Sequence, residues 1–207
     1  MTVKNLWPLV HAERAALATD LTTLTEPDWR TPSLCSGLSV RDVLAHLTAA
    51  ASLTPLRWFA GVVRCRFDFD RQVAVRLAEH LGETGGETLD RFRAVVGSTT
   101  KPPLPVVAML GEAVVHGEDI RRPLGIRRRH PSTVLTRLAE YYSGSDLVVP
   151  ARSRIGGLRL ESTDAPFRVG EGALVTGPTL ALIMAMTGRA DYLEELSGPG
   201  VATLGSR

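Results

Sequence analysis

Two histidines and one glutamate in this sequence have the types and spacing of metal ligands. Glu112 and His116 lie four residues apart within GEAVVHGED, so a helix presents both on one face, about one turn apart. His116 and His46 each share a helix face with apolar residues, which points both toward a core. Two histidines and one carboxylate directed inward form a three-ligand set that leaves a coordination position open, as in catalytic zinc sites. The same set also serves non-haem iron.

An ordinary structural explanation stays open beside this one. Glutamate and histidine occur four residues apart by chance in many chains, and a histidine on an apolar face is usually a hydrogen-bonded core residue. Shared ligation requires the ring nitrogens of His46 and His116 to lie within about 6 Å of each other, given zinc–nitrogen bonds of about 2.0–2.1 Å. The sequence contains no HExxH zinc-protease motif, no GxSxG elbow, no P-loop and no strand followed by GxGxxG, which excludes the enzyme classes those motifs define.

The spacing of apolar residues predicts the helices that must position these ligands. Ser39 followed by Asp42 predicts a capping box at the start of the helix that carries His46. Pro55 predicts a kink within that helix, and Pro123 closes the helix that carries Glu112 and His116. The predicted helices span residues 6–23, 40 to about 63, 68–81, 87–96, 106–122 and 132–142.

The character of the chain changes after residue 145. Residues 158–162 (LRLES) alternate apolar and polar side chains, the period of a half-buried strand. Residues 167–169 and 173–176 predict two further strands with a glycine-containing turn between them, residues 179–187 a helix, and residues 201–204 an edge strand. The predicted fold is therefore mainly α: a helical bundle over residues 1–145, followed by a small α+β domain over residues 146–207.

Composition narrows the class of protein further. The 207 residues are 44% hydrophobic and 22% charged, with a net charge of +2, which is ordinary for a soluble globular protein. No apolar run approaches the roughly 20 residues that span a bilayer, and no basic tract predicts nucleic-acid binding. Two cysteines are too few for a disulfide framework, and no signal peptide is evident. We therefore expect a cytoplasmic protein with neither a membrane nor a nucleic acid as partner.

Two segments and the tail resemble one known family. Residues 29–47 (WRTPSLCSGLSVRDVLAHL), residues 111–125 (GEAVVHGEDIRRPLG) and a tail containing GLRLESTD and SGPGVATL are similar to the mycothiol-dependent maleylpyruvate isomerase family. Its bundle is of the DinB-like metalloenzyme type. The resemblance implies metal ligation by His46, Glu112 and His116. Members of this group often have a second histidine where this chain has Gly117.

The family resemblance also implies a function. Characterised members use a low-molecular-weight thiol, typically mycothiol, as cosubstrate. A thiol at the open position of a divalent metal, most simply Zn²⁺, loses its proton and attacks a small electrophile. Addition, bond rotation and elimination give cis–trans isomerisation, whereas displacement gives S-transfer. The resemblance therefore predicts a thiol-dependent transferase or isomerase, either monomeric or homodimeric. A non-catalytic metal- or ligand-binding protein on the same fold is the main alternative, and a metal-dependent hydrolase the weaker one.

Other residues have two interpretations each. Arg189, at the end of the last predicted helix, is the candidate catalytic residue, because the C-terminal domain of relatives contributes an arginine to the site, but it equally suits a cation at a helix C-terminus. Asp42 could support His46 or only cap its helix. Asp119 and Arg121 are predicted to form ion pairs on the surface. Cys35 lies just before the helix that carries His46, whose N-terminus could lower the pKa of the thiol, but a buried structural thiol is the favoured interpretation.

Overall fold

The computed structural model describes residues 5–207, apart from the side chains at positions 69 and 70. Contacts between Cα atoms divide the chain into two compact units, with the division between Arg128 and Arg129. The sequence predicts a boundary after residue 145 instead. The helix over residues 132–144 falls in the second unit because it packs against a buried apolar helix of that unit.

The described part of the first unit is built from helices alone. The helices are α1 (Trp7–Asp20), α2 (Glu26–Trp29), α3 (Val40–Ser52), α4 (Pro55–Arg64), α5 (Phe69–His80), α6 (Gly85–Val95) and α7 (Val106–Arg121).

Helix α3 begins at the predicted capping box. The Asp42 carboxylate accepts hydrogen bonds from the Ser39 backbone N–H (2.9 Å) and hydroxyl (2.6 Å), while the Ser39 hydroxyl accepts from the Asp42 N–H. The predicted continuation of α3 through Pro55 is wrong. Leu53 and Thr54 adopt extended conformations, as residues before a proline tend to do. A separate helix then starts at Pro55, with the Thr54 hydroxyl as its cap.

The bundle core lies where α1, α3, α6 and α7 face one another. Contacts join α3 to α6 and α7, and α1 to α6 and α7. Phe92 and Val43 are fully buried, and Trp29 packs directly against Gly85, at which a Cβ atom would collide with the indole ring. This packing fixes α3 relative to α7, the two helices that carry the predicted ligands.

The second unit combines helices with one small sheet. Its elements are α8 (Ser132–Gly144), α9 (Ala151–Arg154), β1 (Leu158–Ser162), β2 (Arg168–Val169), β3 (Ala173–Gly177), α10 (Thr179–Met186), a 3₁₀ helix (Ala190–Glu195) and α11 (Val201–Gly205). The sheet order is β2-β1-β3, with β2 antiparallel and β3 parallel to β1. Helix α10 is almost wholly buried against α8 and the 3₁₀ helix.

The three predicted strands and the glycine turn are confirmed, but the fourth predicted strand is wrong. Residues 201–204 lie in helix α11. The free edge of β3 is paired by Ser197 instead, which exchanges two backbone hydrogen bonds of 2.8 Å with Thr176. Gly198 then turns the chain away with a φ of +110°, a conformation that glycine adopts readily. Residues 201–204 therefore fold as a helix, because Ser197 already pairs with the edge of β3.

Among the described residues, no helix combines the length and apolar character required to cross a membrane. The predicted mainly α fold class, a helical bundle followed by a small α+β region, is confirmed.

Candidate metal centre

The structure brings the three predicted ligands together inside the first unit. His46 projects from α3, and Glu112 and His116 project from α7. His46 Nε2 lies 3.1 Å from Glu112 Oε2, and His116 Nε2 lies 3.5 Å from the same oxygen. The two imidazole rings are 4.9 Å apart in an edge-to-face arrangement. The ligand atoms of all three residues lie within 4.8 Å of one another, which meets the 6 Å requirement for shared ligation.

The two nitrogen–oxygen distances suit a small cation. Ligands placed about 2.0–2.1 Å from a tetrahedral zinc are separated from each other by roughly 3.3–3.4 Å. The observed separations of 3.1 and 3.5 Å lie on either side of that value. One carboxylate and two imidazoles are also a donor set that zinc prefers. The residues present therefore fit a divalent metal without rearrangement of the helices.

Asp119 orients the His116 ring through a hydrogen bond to its Nδ1 atom. Its Oδ2 atom lies 2.8 Å from His116 Nδ1, and its side chain is fully buried. A carboxylate at this nitrogen fixes the ring so that Nδ1–H donates to it and Nε2 presents its lone pair toward Glu112. This is the arrangement that supports histidine ligands in many zinc sites.

The predicted surface ion pairs of Asp119 and Arg121 are wrong, because both side chains are completely buried. Arg121 Nε donates to Asp20 at 2.7 Å, and its Nη1 lies 3.4 Å from Glu118. The spacing of Asp119 could have indicated its role. It follows His116 by three residues, so a helix places both side chains on one side.

Cys35 also contacts Asp119 and His116. Its Sγ atom lies 3.0 Å from Asp119 Oδ2 and 3.5 Å from His116 Nδ1. The thiol donates to the carboxylate that orients His116, so Cys35 is a partly buried member of the site rather than an inert core thiol. Because this contact joins residues 84 positions apart, no local sequence pattern could reveal it.

The electrostatics of the site favour a cation. Burial lowers the pKa of His46, but the hydrogen bond to Glu112 and the charges of Glu112 and Asp119 outweigh it, so the pKa lies above its usual value. Arg14, buried on α1, has a pKa lowered to about 10 by burial, partly offset by attraction to Glu112. The carboxylates that raise the pKa of His46 would equally stabilise a metal ion at this position.

Asp42 and Gly117 have structural roles. Both residues of the Ser39–Asp42 pair are engaged in capping α3, which favours the capping interpretation of Asp42. Gly117 lies beside Arg121, and a Cβ atom there would be 2.7 Å from the Arg121 guanidinium. Glycine at this position therefore leaves room for the buried arginine.

Arg189 lies in the second unit, directly after the turn that follows α10. Its Nη1 donates to the Thr187 backbone carbonyl at 2.7 Å, a contact typical of a cation near a helix C-terminus. It also borders a small cavity with Arg154 and Arg207. Its predicted catalytic role stays a prediction.

The fold and the site together define a DinB-like helical bundle with an inward three-ligand cluster. Two solved structures share this fold, the mycothiol-dependent maleylpyruvate isomerase and a histidine-to-alanine mutant of it. Each is 12% identical to this chain, and each match covers 96% of this chain and 93% of the other, with TM-scores of 0.59 and 0.67 respectively. No curated protein sequence is significantly similar to the chain.

Part of the sequence matches the model of a known domain. Residues 10–101 match the mycothiol maleylpyruvate isomerase N-terminal domain. The resemblance predicted from the sequence is thereby confirmed over residues 10–101, which are similar to the N-terminal domain of this family. The matched region includes His46 but ends before Glu112 and His116, so the contribution of α7 to the cluster rests on the geometry above.

A first prediction follows from the contact between Asp119 and His116. We expect Asp119→Asn to weaken zinc affinity by roughly 10- to 100-fold, the usual cost of losing the outer partner of a histidine ligand. The amide still fills the space but no longer carries the charge. The matched control is Asp42→Asn, which removes a capping carboxylate from α3 and costs about 1 kcal/mol of stability. Zinc titration with a competing chromophoric chelator measures both variants.

The two variants distinguish a specific role of Asp119 in metal binding from a general loss of bundle stability. Unchanged zinc affinity in Asp119→Asn would contradict the supporting role of Asp119. A comparable loss in Asp42→Asn would show that the effect is a general loosening of the bundle.

Proposed function

We propose that this protein is a thiol-dependent metalloenzyme, a transferase or isomerase that uses mycothiol or a similar low-molecular-weight thiol against a small electrophile. The observation that carries the proposal is the convergence of His46, Glu112 and His116 in a chain with this N-terminal domain. The matching solved structures are described as mycothiol-dependent, which supports mycothiol as the thiol to test first.

The proposed division of roles follows from the donor set. His46, Glu112 and His116 would hold a divalent cation, with zinc as the best match to two imidazoles and one carboxylate. When bound, such a cation lowers the pKa of a thiol at its open position, which makes the thiol nucleophilic at neutral pH.

The surrounding residues maintain this arrangement. Asp119 keeps the Nε2 atom of His116 free to ligate by accepting a hydrogen bond at Nδ1. Arg14 contributes positive charge near Glu112, which favours the ionised carboxylate that ligation requires.

Thiol transfer tests the proposal directly. With mycothiol and monobromobimane, we expect adduct formation above the uncatalysed rate, its loss on chelation, and its recovery when zinc is returned. The His116→Ala variant should behave as the chelated protein does. Stoichiometric zinc binding without turnover across a panel of alkylating agents and activated alkenes would contradict an enzymatic role and indicate a metal-binding protein instead.

The predicted role of Arg189 needs its own variant. We expect Arg189→Ala to raise the KM for mycothiol by about tenfold with zinc affinity unchanged, since a guanidinium can pair with a carboxylate or sugar hydroxyl of the thiol. The control is Arg137→Ala, which removes a half-exposed arginine of α8 paired with Glu140. If both variants keep the original KM, Arg189 serves only the C-terminal end of α10.

A further inference from the structure

A cavity lies beside the candidate metal centre within the first unit. It measures about 190 Å³, and His46 and Glu112 form part of its wall. Most of the remaining wall is apolar and comes from α3, α4, α5, α7 and the loop before α7. The apolar lining includes Ala50, Leu53, Trp58, Val73, Leu104 and Met109.

The size of the cavity limits what it can hold. An apolar cavity of roughly 150 Å³ in another protein binds benzene. At about 190 Å³, this cavity has space for a single aromatic ring with a short substituent, or for a short alkyl chain. Such a group would lie directly beside two of the three candidate ligands.

The two other polar residues of the wall are already hydrogen-bonded to neighbouring parts of the protein. Gln72 is buried, and its side-chain amide donates to the Trp58 backbone carbonyl at 3.0 Å. Arg76 pairs with Glu79 at 2.9 Å and donates to the Arg57 carbonyl at 3.1 Å. A ligand carboxylate would therefore have to share a guanidinium that Glu79 already neutralises.

The charges around the cavity offer no net attraction to anionic ligands. A divalent cation balanced by Glu112 and a bound thiolate would carry no net charge, and the charge of Arg76 is already balanced by Glu79. A buried carboxylate without a matched partner loses more solvation energy than it recovers. An uncharged apolar group incurs no such cost, and it gains the burial of its surface against Trp58 and its neighbours.

We propose that this cavity binds the apolar part of the electrophile, and that the chain selects uncharged, ring-sized acceptors over carboxylates. This rests on the proposed thiol-dependent function. With a benzylic halide as acceptor, the thiol sulfur forms a bond to the benzylic carbon as the carbon–halogen bond breaks. The halide leaves with the bonding electron pair, and the thiol proton passes to water. The products are a thioether, a halide ion and a proton.

The binding test uses 4-nitrotoluene, an unreactive analogue of 4-nitrobenzyl chloride, on the full chain. We expect calorimetry to show binding of 4-nitrotoluene, and binding of 4-nitrobenzoate weaker by at least roughly tenfold, the cost of an unpaired carboxylate. Nitroaromatic binding should quench the fluorescence of Trp58, and Trp58→Phe should remove that quenching. Because Trp58 lines the cavity, this control locates the ligand.

A cavity-filling variant gives the decisive comparison. Ala50→Phe should weaken 4-nitrotoluene binding by about tenfold or more by occupying the space, since the added ring has the size of the ligand. If Ala50→Phe does not fold, Ala50→Leu is used in its place. The control Ala15→Phe adds the same ring to an exposed position of α1 and should bind normally. Equal binding of 4-nitrobenzoate, or no effect at position 50, overturns the proposal.

The two proposals fail in different ways. Chelated protein should still bind 4-nitrotoluene, because the apolar residues that would contact the ring are not metal ligands. Binding that meets these expectations without any thiol transfer to 4-nitrobenzyl chloride would support the apolar site and contradict the enzymatic function. Transfer that is equally fast with 4-nitrobenzyl chloride and with maleate, a dicarboxylate acceptor, would support the function and overturn the selectivity.

Discussion

His46→Ala and His116→Ala are each expected to abolish stoichiometric zinc binding and, with it, thiol transfer. Each removes one of three ligand atoms that converge within 4.8 Å. Two remaining donors cannot complete the usual three-ligand catalytic site. The loss of affinity should exceed the roughly 10- to 100-fold cost of losing an outer partner such as Asp119. Metal analysis after gel filtration and a zinc titration measure it.

The matched control is His80→Ala, at the C-terminal end of α5 and not part of the ligand cluster. It should retain one zinc per chain. All three variants should keep their helical circular dichroism, because His46 and His116 are partly exposed and contribute little apolar burial. Full zinc retention in both ligand variants would leave the cluster as an ion pair between His46 and Glu112, and would remove the basis of the proposed function.

The ligand cluster could be predicted from the sequence because both helices that carry it have clear local sequence patterns. Glu112 and His116 lie on an apolar helix at four-residue spacing, and His46 follows a capping box that the structure reproduces. Helical periodicity directs these side chains inward. It cannot say which inward-facing residues of different helices meet, and in this chain the family resemblance supplied that pairing.

The features that the sequence does not predict depend on contacts between residues far apart along the chain. Cys35 meets Asp119, and Arg14 lies near Glu112, only because α1, α7 and the loop before α3 pack together. The burial of Arg121 was missed for the same reason, since a charged residue near a helix end resembles a surface residue until its partner Asp20 is located. Residues 201–204 were misassigned because the sheet edge they could have paired with is occupied by Ser197.

Arg121→Ala is expected to cause a large loss of stability. Arg121 is fully buried and bonds to Asp20 on α1 and to Glu118 on α7. Its removal leaves the nearly buried Glu118 carboxylate without this cation, and breaking a buried pair in this way typically costs about 3–5 kcal/mol. A typical domain has about 5–15 kcal/mol of stability in total, so the midpoint of urea unfolding should fall sharply. The control Arg137→Ala removes an exposed pair and should cost at most about 0.5 kcal/mol.

The Arg121 variant also tests how far the metal site depends on the packing of α1 against α7. Arg121 lies five residues after His116 and is not one of the three candidate ligands, so zinc should still bind to the folded fraction. Added zinc should then recover part of the lost stability, because a ligand that binds only the folded state shifts the unfolding equilibrium. A loss of stability no larger than that of Arg137→Ala would show that the buried pair contributes little beyond the cost of desolvating its charges. A variant that folds yet binds no zinc would show that the link between α1 and α7 is what holds Glu112 and His116 in place to bind the metal.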